Sequence, residues 1–224
     1  MKLKKPVVNF LLKGILNIIC RIDCREYIET LSANSPMIIM FNHINFLEVV
    51  ILMTHSYPIS VTGLAKSETW KNPFFSFLFN TYSAVPINRN GAFHESFKKV
   101  QQTINDKGFF VCVAPEGTRS RDGILKKGKA GIVQLSMETN IPVLPVVHYG
   151  GENVWQNMRR LRRTPFKIKT GKPFRIKFDG RPGRQEREEI LAEMMIQIAK
   201  LLPEEMRGAY SQQVNSECKY LDFI

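Results

Sequence analysis

Apolar positions near the start of the chain keep a helical rhythm. From Pro6 to Ile22, the residues Val7, Val8, Phe10, Leu11, Leu12, Ile15, Leu16, Ile18, Ile19 and Ile22 are interrupted at every fourth place by Asn9, Lys13, Asn17 and Arg21. That spacing draws one narrow polar stripe along a wide apolar helix. Lys13 at the centre of a bilayer would cost roughly 2.5–3.5 kcal/mol, so lying in the interface is easier than crossing. Lys2, Lys4 and Lys5, just ahead of the stripe, would draw such a helix toward anionic headgroups. The same pattern also suits a helix that covers its own core, and the pattern alone leaves both readings open.

Further along, the period switches repeatedly. Extended runs are expected at Met37–Phe41, Ile59–Ala65, Ala84–Ile87, Phe109–Ala114 and Val143–His148, and helical ones at Phe46–Met53, Trp70–Phe79, Phe93–Asn105 and Gly131–Thr139. Phe166 and Ile168, then Phe174, Ile176 and Phe178, alternate with basic residues around Gly171, as in two half-buried strands with one basic face. An amphipathic helix, Glu186–Leu202, closes the pattern. Strands alternating with helices predict an α/β fold: a mostly parallel central sheet flanked by helices, preceded by an N-terminal amphipathic membrane-surface helix. The expected division is 1–22 as membrane-anchoring helix and 23–224 as one catalytic domain; the tail after Pro203 gives no further signal.

Composition narrows the partners. The 224 residues are 44% hydrophobic and carry 32 Lys and Arg against 20 Asp and Glu, a formal +12, which favours an anionic partner. Cys20, Cys24, Cys112 and Cys218 form no C-x-x-C pair, so neither a zinc site nor a disulfide framework is supported, and a reducing, cytosol-facing setting is expected. A nucleic-acid module would also explain the charge, but no zinc pattern, recognition helix or aromatic-basic RNA motif is found.

Four stretches carry candidate chemistry. Asn42-His43-Ile44-Asn45-Phe46-Leu47-Glu48 lies between an extended and a helical run, so Glu48 in the first turn can fold back on the imidazole. A carboxylate there fixes the tautomer and stabilises the imidazolium, which is general-base equipment. Lys66 and Arg89 fall just beyond two extended runs, where sites of α/β sheets form. Glu116-Gly117-Thr118-Arg119 follows another buried strand, with Gly117 permitting a tight turn and Arg119 offering a planar fork for phosphate. Last, Ile141-Pro142-Val143-Leu144-Pro145-Val146 is an apolar strand whose prolines suggest a sheet edge or an opening into a cleft.

In this order the four stretches resemble the motifs of the glycerolipid acyltransferase family, in particular lysophosphatidic acid acyltransferases, over roughly Asn42 to Val147. Two departures stand out: Glu48 where the family usually has Asp, longer by about 1.5 Å, and Ser83 where many relatives have Gly. The resemblance implies His43 as base, Glu48 as its orienting acid, and Lys66, Arg89, Glu116, Gly117, Thr118 and Arg119 as the binding site for the acceptor's glycerol phosphate. It places Pro142 and Leu144 on the acyl-donor side. It implies transfer of a fatty acyl group from acyl-CoA or acyl carrier protein to the free hydroxyl of a lysophospholipid, first of all lysophosphatidic acid, in phospholipid biosynthesis. It implies no metal and no cofactor beyond the thioester substrate, a peripheral or monotopic place on the cytoplasmic face of a membrane with an anionic surface, and no nucleic acid partner.

Other readings compete with this one. One is a catalytically silent lipid-binding protein of the same fold. A hydrolase is disfavoured by the absence of a G-x-S-x-G elbow, although Ser120 stays in view as a nucleophile. The basic residues from Arg159 to Lys177 suit anionic headgroups, the phosphates of coenzyme A, or lysine protection of an edge strand.

Overall fold

The computed structural model describes residues 5–87 and 93–224. In chain order the main elements are α1 (Lys5–Ile19), β1 (Cys20–Asp23), α2 (Arg25–Ala33), β2 (Ile38–Phe41), α3 (Leu47–His55), β3 (Val61–Lys66), α4 (Pro73–Thr81), β4 (Val85–Ile87) and α5 (Phe93–Asn105). There follow β5 (Phe110–Val113), α6 (Gly131–Thr139), β6 (Val143–Tyr149), α7 (Val154–Arg159), β7 (Thr164–Thr170), β8 (Phe174–Ile176), α8 (Arg184–Leu201) and β9 (Leu221–Phe223).

The sheet runs in the order β4-β3-β5-β2-β6-β7-β1. From β4 to β6 every pairing is parallel, so the chain leaves each of these strands at the same edge. β7 turns antiparallel to β6, β1 lies parallel to β7, and β8 and β9 extend from the start of β6. β2, in the middle, is buried at all four positions, and β6 at its first six. These near-continuous apolar runs are what parallel strands covered on both faces require. The expected α/β architecture, a mostly parallel sheet flanked by helices, is the observed one.

Several local expectations are corrected. The first helix stops at Ile19, and Cys20–Asp23 becomes β1 beside Thr164–Lys167, so the boundary expected between residues 22 and 23 falls inside a strand. The helix expected at Trp70–Phe79 divides into a 3₁₀ turn, Ser67–Lys71, and α4, because Asn72 caps a new start with Pro73 at its first position. The proline-bearing strand β6 is central rather than at an edge. Pro145 is tolerated because it faces the place where β7 gives way to β8: there Gly171 N–H donates to Pro145 O at 2.9 Å, and no strand asks Pro145 for a donor.

The polar stripe of α1 is turned partly inward. Asn9 is buried, donating to Thr54 O at 3.1 Å and accepting from Tyr82 Oη at 2.7 Å. Asn17 Oδ1 lies 3.3 Å from His55 Nε2. Outward face Val7, Phe10, Leu11, Ile15 and Ile18, all exposed. Among the described residues no helix is long and apolar enough to cross a membrane.

Candidate active site

The site is built at the edge where the parallel strands end. β2 releases His43 there, and α3 starts four residues later with Glu48 in its first turn. Asn45 shapes the link: its Oδ1 accepts from Leu47 N at 2.8 Å, and its own N–H lies 3.1 and 3.0 Å from the two Glu48 oxygens. The Glu48 carboxylate thereby folds back and accepts a hydrogen bond from His43 Nδ1. Glu48 is fully buried, while the His43 side chain keeps 23% of its surface exposed. The longer acid at position 48 thus still reaches the ring. With Nδ1 committed to the carboxylate, Nε2 is the nitrogen left to exchange a proton with a substrate.

Behind this pair stands a residue that the sequence pattern did not single out. His148, fully buried near the end of β6, has Nε2 2.6 Å from Asn42 O and 3.9 Å from Glu48 Oε1. Asn42 and His148 also exchange a reciprocal pair: Asn42 Nδ2 donates to His148 O and His148 N donates to Asn42 Oδ1, both at 2.9 Å. The His148 ring stacks on Phe166, centroids 5.3 Å apart. Burial pushes its pKa below the ordinary histidine value, against the opposing pull of Glu48, so it sits neutral with its hydrogen on Nε2. Among the described residues, Nδ1 of this buried ring has no hydrogen-bond partner.

The loop after β5 meets His43 from the other side. Glu116 is buried with both oxygens occupied: Oε1 accepts from His43 N at 2.8 Å and Oε2 from Lys126 N at 2.9 Å. Burial raises its pKa, and the two backbone donors work against that rise. Ser120 N donates to His43 O at 2.7 Å, so the backbone of His43 is held at both its N–H and its C=O. Gly117 has φ +68°, and a Cβ there would meet the Lys129 side chain at 3.2 Å, which accounts for glycine. Thr118 and Arg119 are exposed, and Lys126 Nζ donates to Arg119 O at 2.8 Å.

Lys66 is exposed at the end of β3, two strands from β2, or about 10 Å across the sheet. Arg89 lies outside the described residues. The structure therefore gathers His43, Glu48 and Glu116 in contact, with Lys66 and Arg119 along the same edge. Lys126 and Lys129, which sequence reasoning passed over, join them; the run Lys126-Lys127-Gly128-Lys129 was their visible signal. Pro142 and Leu144 sit at the start of β6, toward the other end of the strand from His148. Cys112 is buried inside β5 and burial drives its thiol pKa far up, which leaves it unreactive. Among the described residues no cluster of His, Cys, Asp and Glu could hold a metal ion.

Several known acyltransferases are similar to the chain. A 1-acyl-sn-glycerol-3-phosphate acyltransferase of Cocos nucifera is 29% identical over 146 residues, covering 64% of this chain and 47% of that protein. One from Limnanthes douglasii is 32% identical over 115 residues, 50% of this chain and 41% of its own length. One from Bacillus subtilis is 26% identical over 123 residues, 54% of this chain and 60% of the relative. The chain spans about half the length of the curated relatives it matches. The crystal structure of the 1-acyl-sn-glycerophosphate (LPA) acyltransferase PlsC from Thermotoga maritima shares the fold, with a TM-score of 0.58 and 21% identity over 85% of this chain and 76% of that one. The family model described as Acyltransferase matches residues 21–149, from β1 to the end of β6, and so takes in every element that frames His43: the chain belongs to the Acyltransferase family.

Proposed function

We propose that the protein moves a fatty acyl group from a thioester of coenzyme A or acyl carrier protein to the free hydroxyl of a lysophospholipid, with lysophosphatidic acid as the first acceptor and phosphatidic acid as product, in phospholipid biosynthesis. The observation that carries this reading is the His43–Glu48 pair: a partly exposed imidazole whose Nδ1 hydrogen is held by a buried carboxylate.

His43 Nε2 takes the proton of the acceptor hydroxyl as its oxygen bonds to the thioester carbonyl carbon. The resulting tetrahedral intermediate re-forms its carbonyl by releasing the thiolate, which recovers the proton from the imidazolium. Glu48 stabilises that imidazolium while it lasts. Exposed Lys66 and Arg119, with Arg89, bind the acceptor's phosphate and so hold its hydroxyl in reach of Nε2. Glu116 and Gly117 shape the loop from beneath, and Thr118 stands at its surface. The exposed apolar side of α1 rests in the membrane interface on its cytoplasmic face, where the acceptor's acyl tail can stay in the leaflet.

The test is purified protein in lipid micelles with acyl-CoA and lysophosphatidic acid, following free thiol and phosphatidic acid together, beside His43→Ala. Thiol release that needs the acceptor and disappears in His43→Ala supports the assignment. Thiol release without acceptor means hydrolysis. No release with either donor and a panel of lysolipids means a silent lipid-binding protein.

A further inference from the structure

The chemistry above leaves one strongly featured segment unused. Between Asn153 and Phe178 the chain carries nine Lys and Arg and no Asp or Glu. Its first part is a knuckle, α7 and the turn into β7, at the edge where β6 ends and β7 begins, beside the loops that build the site. There Trp155 is 51% exposed, Met158 41% and Leu161 97%. Trp155 and Met158 are three residues apart and share one side of α7.

Leu161 has φ +53°, a left-handed conformation usually left to Gly or Asn. The turn that presents it is firmly tied. The N–H groups of Arg160 and Arg162 donate to Asn157 O at 3.0 and 2.9 Å, Leu161 N donates to Met158 O at 3.1 Å, and Asn157 Nδ2 reaches Thr164 Oγ1 at 3.2 Å. A rigid turn thus holds a large apolar side chain in the open, where only an outside partner can bury it.

Exposed Arg159, Arg160 and Arg162 surround that apolar tip. Arg163 is turned aside: its Nη2 donates to Cys20 O at 2.9 Å. Cys20 also pairs with Thr164, so the exposed Ile18 end of α1 lies beside the knuckle. A soluble phosphate would satisfy the arginines and leave Trp155, Met158 and Leu161 bare. A bilayer surface satisfies both, since tryptophan suits the headgroup level and arginine meets lipid phosphates.

We propose that the Trp155–Arg162 knuckle is a second docking element for an anionic lipid bilayer, separate from the face of α1, with Trp155, Met158 and Leu161 entering the headgroup boundary and the three arginines on phosphates. It needs no turnover and can be read in His43→Ala protein, so its failure and that of the proposed reaction are distinguishable.

With Trp70→Phe as background, Trp155 is the sole tryptophan. Adding phosphatidylglycerol vesicles should shift its emission to the blue, and brominated acyl chains should quench it. Phosphatidylcholine vesicles should do neither at the same lipid concentration. Arg159→Gln, Arg160→Gln and Arg162→Gln together should weaken partition into anionic vesicles roughly 100-fold. Leu161→Asp should reduce the quenching. The proposal is overturned if the protein floats with anionic vesicles while Trp155 stays unshifted and unquenched, or if the triple variant partitions as the parent does. It is equally overturned if coenzyme A alone at micromolar concentration reproduces the Trp155 shift, which would assign the arginines to a soluble phosphate.

Discussion

The two sides of the candidate site are made differently. On the β2–β6 side, His43, Glu48, Asn42 and His148 are tied to one another and to backbone groups, with Glu48 and His148 wholly enclosed. On the side of β3 and the loop after β5, Lys66, Thr118 and Arg119 are exposed to solvent. A proton acceptor must be aimed to a fraction of an ångström, and that takes surrounding groups that cannot turn. A phosphate is gripped by charge over a wider range of geometries, so its ligands can remain exposed until it arrives.

The contrast is broken most severely at the enclosed side. Glu48→Gln keeps the shape and removes the charge that holds His43; kcat should fall by roughly 10²–10⁴ with the acceptor KM little changed, measured by thiol release under saturating lipid. Changes on the exposed side should separate from this. Arg119→Ala or Lys66→Ala should raise the acceptor KM by about 10-fold or more, with a smaller effect on kcat and on stability, because a surface cation is removed and no buried group is orphaned. If both sides instead affect kcat alone, the division of labour is wrong.

A pH series tests enclosure directly. Burial holds the folded-state pKa of His148 below the ordinary value of 6.5. Below pH 6.5 the unfolded chain therefore takes up a proton that the folded chain resists, so stability is full above that pH and is lost as pH falls. His55, lowered to about 4 first by burial and then by Lys13, adds a second loss between 6.5 and 4. Urea midpoints should decline through this range, by up to ~1.4 kcal/mol per pH unit for each histidine. His148→Asn should make that decline shallower, and an unchanged slope would contradict the assigned enclosure. The smallest effect is expected at the turn before β4. Ser83 sits at φ +56°, and Ser83→Gly should raise stability by about 0.5–1 kcal/mol in the same titration while leaving turnover alone.

Much of this was legible in the sequence, for physical reasons. β2, β5 and β6 are short apolar runs bounded by polar turns, and α5 and α6 have ends where the periodicity puts them. His43 and Glu48 are five residues apart, so one local fold joins them. His148 was invisible because its partners Asn42 and Glu48 come from about a hundred residues away, and a lone histidine in an apolar strand carries no spacing signal. β1 is hard to tell from the helix before it because no glycine, proline or polar cluster separates Ile19 from Cys20. α2 buries only Tyr27 and Leu31, a stripe too short to stand out.

That hidden first strand has a practical consequence. β1 is the strand that pairs with the outer side of β7, at Thr164–Lys167, while farther along Glu26 of α2 accepts from Thr170 N. Shortening the protein from its start then does its damage in two steps. A chain beginning at Cys20 has already lost α1 and the bonds of Asn9 to Thr54 and Tyr82, whereas one beginning at Arg25 also bares β7 from Thr164 to Lys167 as a template for its neighbours, and its yield in soluble form should fall further between those two starting points.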